Sequence, residues 1–462
     1  MIRLESDLPA CPHRSVRSLF VPVSIPKTSR YWLRQVSVPL ALTAGEGFPQ
    51  AFAGDALVRA AILVADGKIA RIVAEPLAYA EEAPSVDCGG KLVLPRCVDV
   101  HTHLDKGHIL ARAANTSGTF YGALTTVAAD REANWTAADV RARMDFALRC
   151  AFHHGSGAVR THLDSLGKQA GISWPVFDEL RAEWKGRIAL QASALFPLST
   201  AWEDPEDFRN ILKHVVKYAG ILGAVTYRGE PLTGQVDAAL DMFIDAAQAN
   251  GLELDFHVDE SDSPDARSLE KIADAVLRKK FTGRVLVGHC CSLALMDDGD
   301  RARVIEKLAA AKIAVVSLPM CNMYLQDRVS GRTPRWRGVA PLHELDAGGV
   351  STMVASDNTR DPFYAYGDLD GVEVFREATR ILHFDHSERP WLESVTRRPA
   401  AHMGLADAGR LAPGLSADLI LFSARTLNEW LCRPQTDRLV LLAGEAIQSS
   451  LPDYAELDRL SA

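Results

Sequence analysis

The residues with the clearest chemistry are two histidines one position apart, His101 and His103, closing the segment that begins at Leu94. In extended backbone alternate side chains share a face, so the two imidazoles point the same way. Two imidazoles on one face at a strand end are half of a divalent-metal site. Further along, three more strand-like segments close on residues able to bind metal or carry protons: Phe256-His257-Val258-Asp259-Glu260, Gly288-His289 and Ala355-Ser356-Asp357-Asn358. Any one of them is an ordinary strand ending, where a His or Asp caps a loop. Together on one rim they point to a metal site. Three neutral imidazoles and one carboxylate offer borderline N/O ligation suited to Zn²⁺ or Fe²⁺, with a coordination position left for water. An ion held this way lowers the pKa of water towards neutrality. Glu260, three residues beyond His257, is placed for proton transfer beside the ion without ligating it.

For these endings to meet, the strands that carry them must run parallel and close on one another. Strand-like segments are expected over Ala158–Asp164, Arg187–Phe196, Ile221–Arg228, Leu252–Glu260, Arg284–Cys291, Ile313–Met320 and Val350–Asn358. With the His-x-His strand they make eight, most spaced by roughly 30 residues, the period of β-α units in a closed barrel. Helical patterns separate most of them. Thr136-Ala137-Ala138-Asp139 resembles a capping box, and Gly155 suits the helix stop. Val236, Leu240, Phe243, Ile244 and Ala247 mark another apolar face ahead of Gly251. A doubly wound open sheet competes with the barrel, but no Gly-rich turn follows the first strand.

Short β segments fill residues 31–93, with a two-residue hairpin signal at Asp66-Gly67. Strand and turn patterns return over 408–462, too few to build a core of their own. The expected fold is therefore α/β: a distorted (β/α)8 barrel over 94–407, beside a small composite β-sandwich built from both chain ends. Residues 1–30 read as an irregular extension without a hydrophobic signal core.

Composition narrows the partners. The chain has 462 residues, is 47% hydrophobic and 24% charged, and carries a formal charge of −8. It offers no basic field for nucleic acid and no apolar run able to span a bilayer. Its eight cysteines are scattered without Cys-x-x-Cys, which favours a reducing, cytoplasmic setting over a disulfide scaffold. A small-molecule substrate is expected. Assembly into a homo-oligomer is open.

These motifs give the chain a family likeness. From about residue 35 to 450 it resembles the cytosine deaminase branch of the amidohydrolase superfamily. The carrying segments are His101-Thr102-His103-Leu104-Asp105, Asn115-Thr116-Ser117-Gly118-Thr119, Thr161-His162-Leu163-Asp164, His257-Val258-Asp259-Glu260, and Asp357 followed by Asp361-Pro362-Phe363. Asn322 with Tyr324-Leu325-Gln326-Asp327-Arg328 resembles that family's seventh-strand loop. The resemblance implies one divalent ion, Zn²⁺ or Fe²⁺, on His101, His103, His257 and Asp357. It implies Glu260 as the acid/base that protonates a ring nitrogen, and His289 as the group that orients the nucleophile. Asp357 would also relay a proton to the leaving amine. Gln191 would read the substrate's amide edge, and Phe363 would form an aromatic wall.

The chain departs from that pattern at Asn358, where the cytosine enzymes carry a second acid. Ser356-Asp357-Asn358-Thr359-Arg360-Asp361 looks more like the triazine N-alkylamine hydrolases of the same branch, although here the His257–Glu260 pair is complete. Arg228 and Glu230, at the fourth strand end, read as a surface ion pair. Two other classes drop out on residues. The small zinc deaminases need His-x-Glu with Pro-Cys-x-x-Cys. Ring-opening enzymes with two metals need a lysine on the fourth strand, where Ala224-Val225-Thr226-Tyr227-Arg228 has none. The expected activity is hydrolytic deamination of an aminated N-heterocycle with release of ammonia. The alternatives are an N-alkylamino-heterocycle hydrolase releasing an amine, and an inactive heterocycle-binding homologue.

Overall fold

The computed structural model describes residues 23–76, 83–226, 229 and 232–460. Eight parallel strands form its centre: β1 (Cys97–Thr102), β2 (Ser156–Asp164), β3 (Ala189–Leu195), β4 (Leu222–Val225), β5 (Leu254–Val258), β6 (Val285–His289), β7 (Ala314–Ser317) and β8 (Thr352–Val354). They pair as two continuous sheets, β1-β2-β3 and β4 through β8 in order. Isolated parallel bridges join the sheets, Ser193 with Ile221 and Pro197 with Val225 on one side and Thr102 with Asp357 on the other. The barrel is therefore closed but irregular at both seams.

The strands are buried on both faces, and their apolar residues are interrupted by buried polar ones such as Asp99, Arg160, His162 and Asp255. Residues from five of them, including Val98, Val100, Ala158, Leu286, Ala314, Val316 and Met353, form one cluster closed off by Ala400 and Met403. A larger cluster packs the helices against the strands. The two expected helices are Ala137–His154 and Gly234–Asn250. Thr136 Oγ1 caps the first by accepting from Asp139 N–H, and Gly155 and Gly251 end them at φ 95° and 64°, a left-handed turn that glycine adopts at no steric cost.

The seventh strand is shorter than its sequence suggests. It stops at Ser317, and Pro319–Leu325 is a helix with proline in its first turn, where the missing N–H is unneeded. A second helix that the periodicity did not announce, Phe120–Asn134, follows β1. The fourth strand ends at Val225, and Arg228 and Glu230 lie outside the described residues.

Both chain ends build the sandwich. Lys68–Ala74, Leu57–Ala65, Arg30–Pro39 and Ser85–Asp87 form one four-stranded sheet; Glu445–Ala446, Leu439–Leu442, Leu419–Leu421 and Val93–Pro95 form the other. Their shared core joins Tyr31, Leu33, Ile62 and Ile72 to Leu411, Leu419 and Leu441. The Asp66-Gly67 hairpin is present, with φ of 50° and 76°. Among the described residues no helix is long and apolar enough to cross a membrane.

Candidate metal centre and active site

Strand ends bring His101, His103, His257, His289 and Asp357 together, all fully or almost fully buried. His103 Nε2 lies 3.2 Å from His257 Nε2 and 3.1 Å from Asp357 Oδ1, and His101 Nε2 lies 3.5 Å from the same oxygen. Ligands at about 2.0–2.1 Å around a tetrahedral ion stand roughly 3.3 Å apart, so these spacings fit one shared divalent cation. The unsatisfied atoms agree. Among the described residues, His101 Nε2 and both Asp357 carboxylate oxygens are buried without a hydrogen-bond partner, a costly state that an ion would relieve. Burial, followed by the neighbouring imidazoles and Lys106, pushes the His101 and His103 pKa values well below the usual range, leaving them neutral as ligation requires. Burial acts to raise the Asp357 carboxyl, but contact with His103 and His289 outweighs it and holds the group at about 2.

The local backbone is bent to achieve this. Asp259, His289 and Asp357 have φ of 47°, 70° and 65°, a region non-glycine residues enter at some cost, which here turns strand-end side chains inward. Gly288 makes room for a ligand: a Cβ there would stand 2.8 Å from His101 Cε1.

His162 joins the cluster, its ring 4.0 Å from that of His101. Potential ligand atoms of His101, His103, His162 and His257 lie within 4.8 Å of one another, as do those of His101, His257, His289 and Asp357. His162 Nε2 faces Asp255 Oδ1 at 3.2 Å, although not in hydrogen-bond alignment, and its Nδ1 lies 3.4 Å from Thr102 O. His289 turns Nδ1 to Asn322, leaving Nε2 free. The shortest of these spacings join His103 to His257 and to Asp357, while His162 and His289 also stand within reach of a shared ion.

Glu260 stands at the rim. Its Oε1 accepts from Asn322 Nδ2 at 2.9 Å and lies 3.4 Å from His289 Nδ1. Burial, reinforced by Asp357, raises its pKa well above the carboxylate range. The preceding Asp259 is locked by Ser268 and by Leu269 N–H, so the loop bearing Glu260 is held at the start of helix Ser268–Lys279.

A cavity of about 190 Å³ opens onto this cluster. Phe120 and Phe363 meet edge to face on its wall, with ring centroids 5.6 Å apart. Asn358 also lines it, donating to Asp361 Oδ2 at 2.5 Å. Gln191 does not. It lies near the start of β3, where its Oε1 accepts from Arg160 at 2.8 and 3.1 Å and its Nε2 donates to Met403 O at 2.8 Å. From this strand and the residues just after it, Leu195, Phe196 and Pro197 line the cavity instead. Three further lining residues, Lys106, Arg131 and Asp164, received no role from the sequence. Asp164 closes a segment quoted for the resemblance, Lys106 directly follows the segment His101–Asp105, and Arg131 comes from the unannounced helix.

Comparison with known proteins follows the same line. Residues 200–445 match the amidohydrolase family. A pterin deaminase of Rhizobium rhizogenes is 53% identical over 436 residues, covering 94% of this chain and 98% of that protein. An N-isopropylammelide isopropyl amidohydrolase of a Pseudomonas species is 24% identical over 369 residues, 77% of this chain and 86% of that protein. In fold, the crystal structure of 5-methylcytosine deaminase from Klebsiella pneumoniae superposes with a TM-score of 0.77 at 24% identity, covering 91% of this chain and 98% of that one. On the family match and the near full-length relative, this chain belongs to the amidohydrolase family.

Proposed function

We propose that the protein is a metal-dependent deaminase that removes the exocyclic amine of a pterin-type ring as ammonia. The observation that carries the chemistry is Glu260, held by Asn322 beside His289 at the edge of four residues spaced to share one cation. The long match to a pterin deaminase supports the ring class. Neutral imidazoles with one carboxylate suit Zn²⁺ or Fe²⁺ equally by donor type.

When bound, the ion supplies Lewis acidity that brings a water molecule's pKa towards neutrality. The chain's own residues do the rest. Phe363 and Phe120 offer flat apolar surface to the ring. His289 receives a hydrogen bond at Nδ1 from Asn322, so its proton sits on Nε2, where it can donate to the oxygen that adds to the carbon bearing the amine. Glu260 passes the water's proton to the adjacent ring nitrogen. Asp357 takes the remaining proton to the departing nitrogen. The C–N bond breaks, ammonia leaves, and the ring keeps a carbonyl.

The test is ammonia release from pterin by the metal-loaded protein. The rival reading, hydrolysis of an N-alkylamino ring, draws on Asn358 and its neighbours, and predicts alkylamine release from triazines instead. The complete His257–Glu260 pair favours deamination. Metal-loaded protein inert towards pterins, pyrimidines and triazines alike would return it to a binding homologue.

A further inference from the structure

The cavity wall holds two cations that the mechanism above does not use. Lys106 and Asp164 are buried, and Arg131 is a quarter exposed in its side chain. Asp164 lies between them: its Oδ2 accepts from Arg131 Nη1 at 2.8 Å, and its Oδ1 is 3.4 Å from Lys106 Nζ. All three line the cavity shared with His103, Glu260 and Phe363. Lys106 Nζ also stands 5.3 Å from the centre of the Phe363 ring, the aromatic wall itself. Among the described residues, one contact to Asp164 leaves most N–H donors of each cation without a partner.

Their supports are rigid. Asp105 accepts from Asp164 N–H and from the Ser173 hydroxyl, both at 2.9 Å. Buried Arg143 donates to the carbonyls of Asp105 and Gly107, on either side of Lys106. The helix Phe120–Asn134, which bears Arg131, is anchored through Asp130 to Arg112 and Trp135. Donors held this way in a small, largely apolar cavity are organised for a ligand before it arrives.

We infer that Asp164 holds Lys106 and Arg131 as a paired donor edge that reads an oxo group on the substrate ring, making these two residues determinants of specificity. The inference rests on the deaminase reading above. A neutral ring oxygen suits the place better than a carboxylate substituent. Asp164, Glu260 and Asp357 already bring carboxylates to the same walls, and another charge would have to be stripped of water against them. An amino group in place of the oxygen would point N–H donors at two cations and leave them unpaired. A site built around a polar partner rejects such an analogue strongly.

The experiment compares kcat/KM for pterin, which carries an oxo group, with 2,4-diaminopteridine, which carries an amine in its place. Pterin-6-carboxylate serves as the arm for a charged substituent. Wild type, Arg131→Met, Arg131→Lys and Lys106→Met are assayed by ammonia release, with metal content checked for each. The wild type is expected to prefer pterin by roughly 10²-fold or more. Arg131→Met should collapse that ratio by lowering only the pterin value, and Arg131→Lys should restore part of it. Equal losses on both rings would overturn the inference while leaving the deaminase reading intact. So would a preference that depends only on the 6-carboxylate. No ammonia from any of the three rings would overturn both.

Discussion

Asn322 donates through Nδ2 to Glu260 Oε1 at 2.9 Å, tying the helix Pro319–Leu325 after β7 to the loop after β5. The same nitrogen lies 3.0 Å from His289 Nδ1, so one amide orients both groups proposed to handle protons. Glu260 is thereby aimed rather than merely nearby. Replacing it with glutamine keeps the shape and removes the proton carrier. Glu260→Gln is expected to retain its metal and lose roughly 10²- to 10⁴-fold in kcat. Wild-type turnover by the metal-loaded variant would remove Glu260 from the mechanism.

Removing the ion should abolish activity, and adding Zn²⁺ or Fe²⁺ should restore it. Because the ion binds the folded cluster, it should also stabilise the fold, by about 2.7 kcal/mol at a hundredfold excess over Kd. Chelation followed by thermal or urea melts, with and without added ion, measures this. Identical melts would mean that the four residues do not share a cation.

Gly288 predicts a sharper lesion. A methyl group there would press on His101 at 2.8 Å from Cε1 and 3.0 Å from Nδ1. Gly288→Ala should therefore fold, as judged by circular dichroism, but bind metal poorly. Full metal occupancy would show that the His101 ring has room to move.

Gln191 belongs to the framework. Its amide joins Arg160, which pairs with Asp255, to the carbonyl of Met403. Gln191→Ala should cost about 1–3 kcal/mol of stability by stranding buried partners, and leave KM unchanged. A rise in KM at unchanged stability would put it back in the binding site.

Asp55 gives the pH dependence. Half-buried, it accepts from Leu392 N–H at 3.0 and 3.2 Å, and burial pushes its carboxyl up to about 7. In the unfolded chain an aspartate titrates near 3.9. The folded state thus keeps a proton that the unfolded state has released, and this contribution to stability is complete below about pH 4 and lost as pH rises through about 7. Asp55→Asn keeps an acceptor and removes the titration. The stability of wild type relative to this variant should fall between pH 4 and 8 in denaturant titrations. A difference that stays flat with pH would contradict it.

Much of this was legible in the chain because strand-end chemistry is local. The alternation around His101 and His103, the Thr136 cap and the Asp66-Gly67 turn each need only a few neighbouring residues to be read. The helix Phe120–Asn134 escaped because its buried side is mixed: Ala123 and Val127 share it with the ion-paired Asp130, while the aromatic Tyr121 faces solvent. Pro319 hid a helix inside an apparent strand. Gln191 was carried across from the family resemblance, and the strand places it four residues short of Leu195, where the lining of the cavity begins on this strand. Lys106, Arg131 and Asp164 come from separate segments, and nothing short of the folded barrel brings them together.

The seam between β1 and β8 has one further consequence. One backbone bridge, Thr102 to Asp357, joins the first stave to the last, with Ser356 donating to the Asp99 carboxylate beside it. Residues on both sides of that join belong to the cluster proposed to hold the cation, so an ion bound there would act as a clasp across the seam. A growing polypeptide cannot fasten it until Asp357 has emerged and the cylinder has shut. Loading is thus a late event in maturation, and a protein stripped of its ion should first come apart along this line.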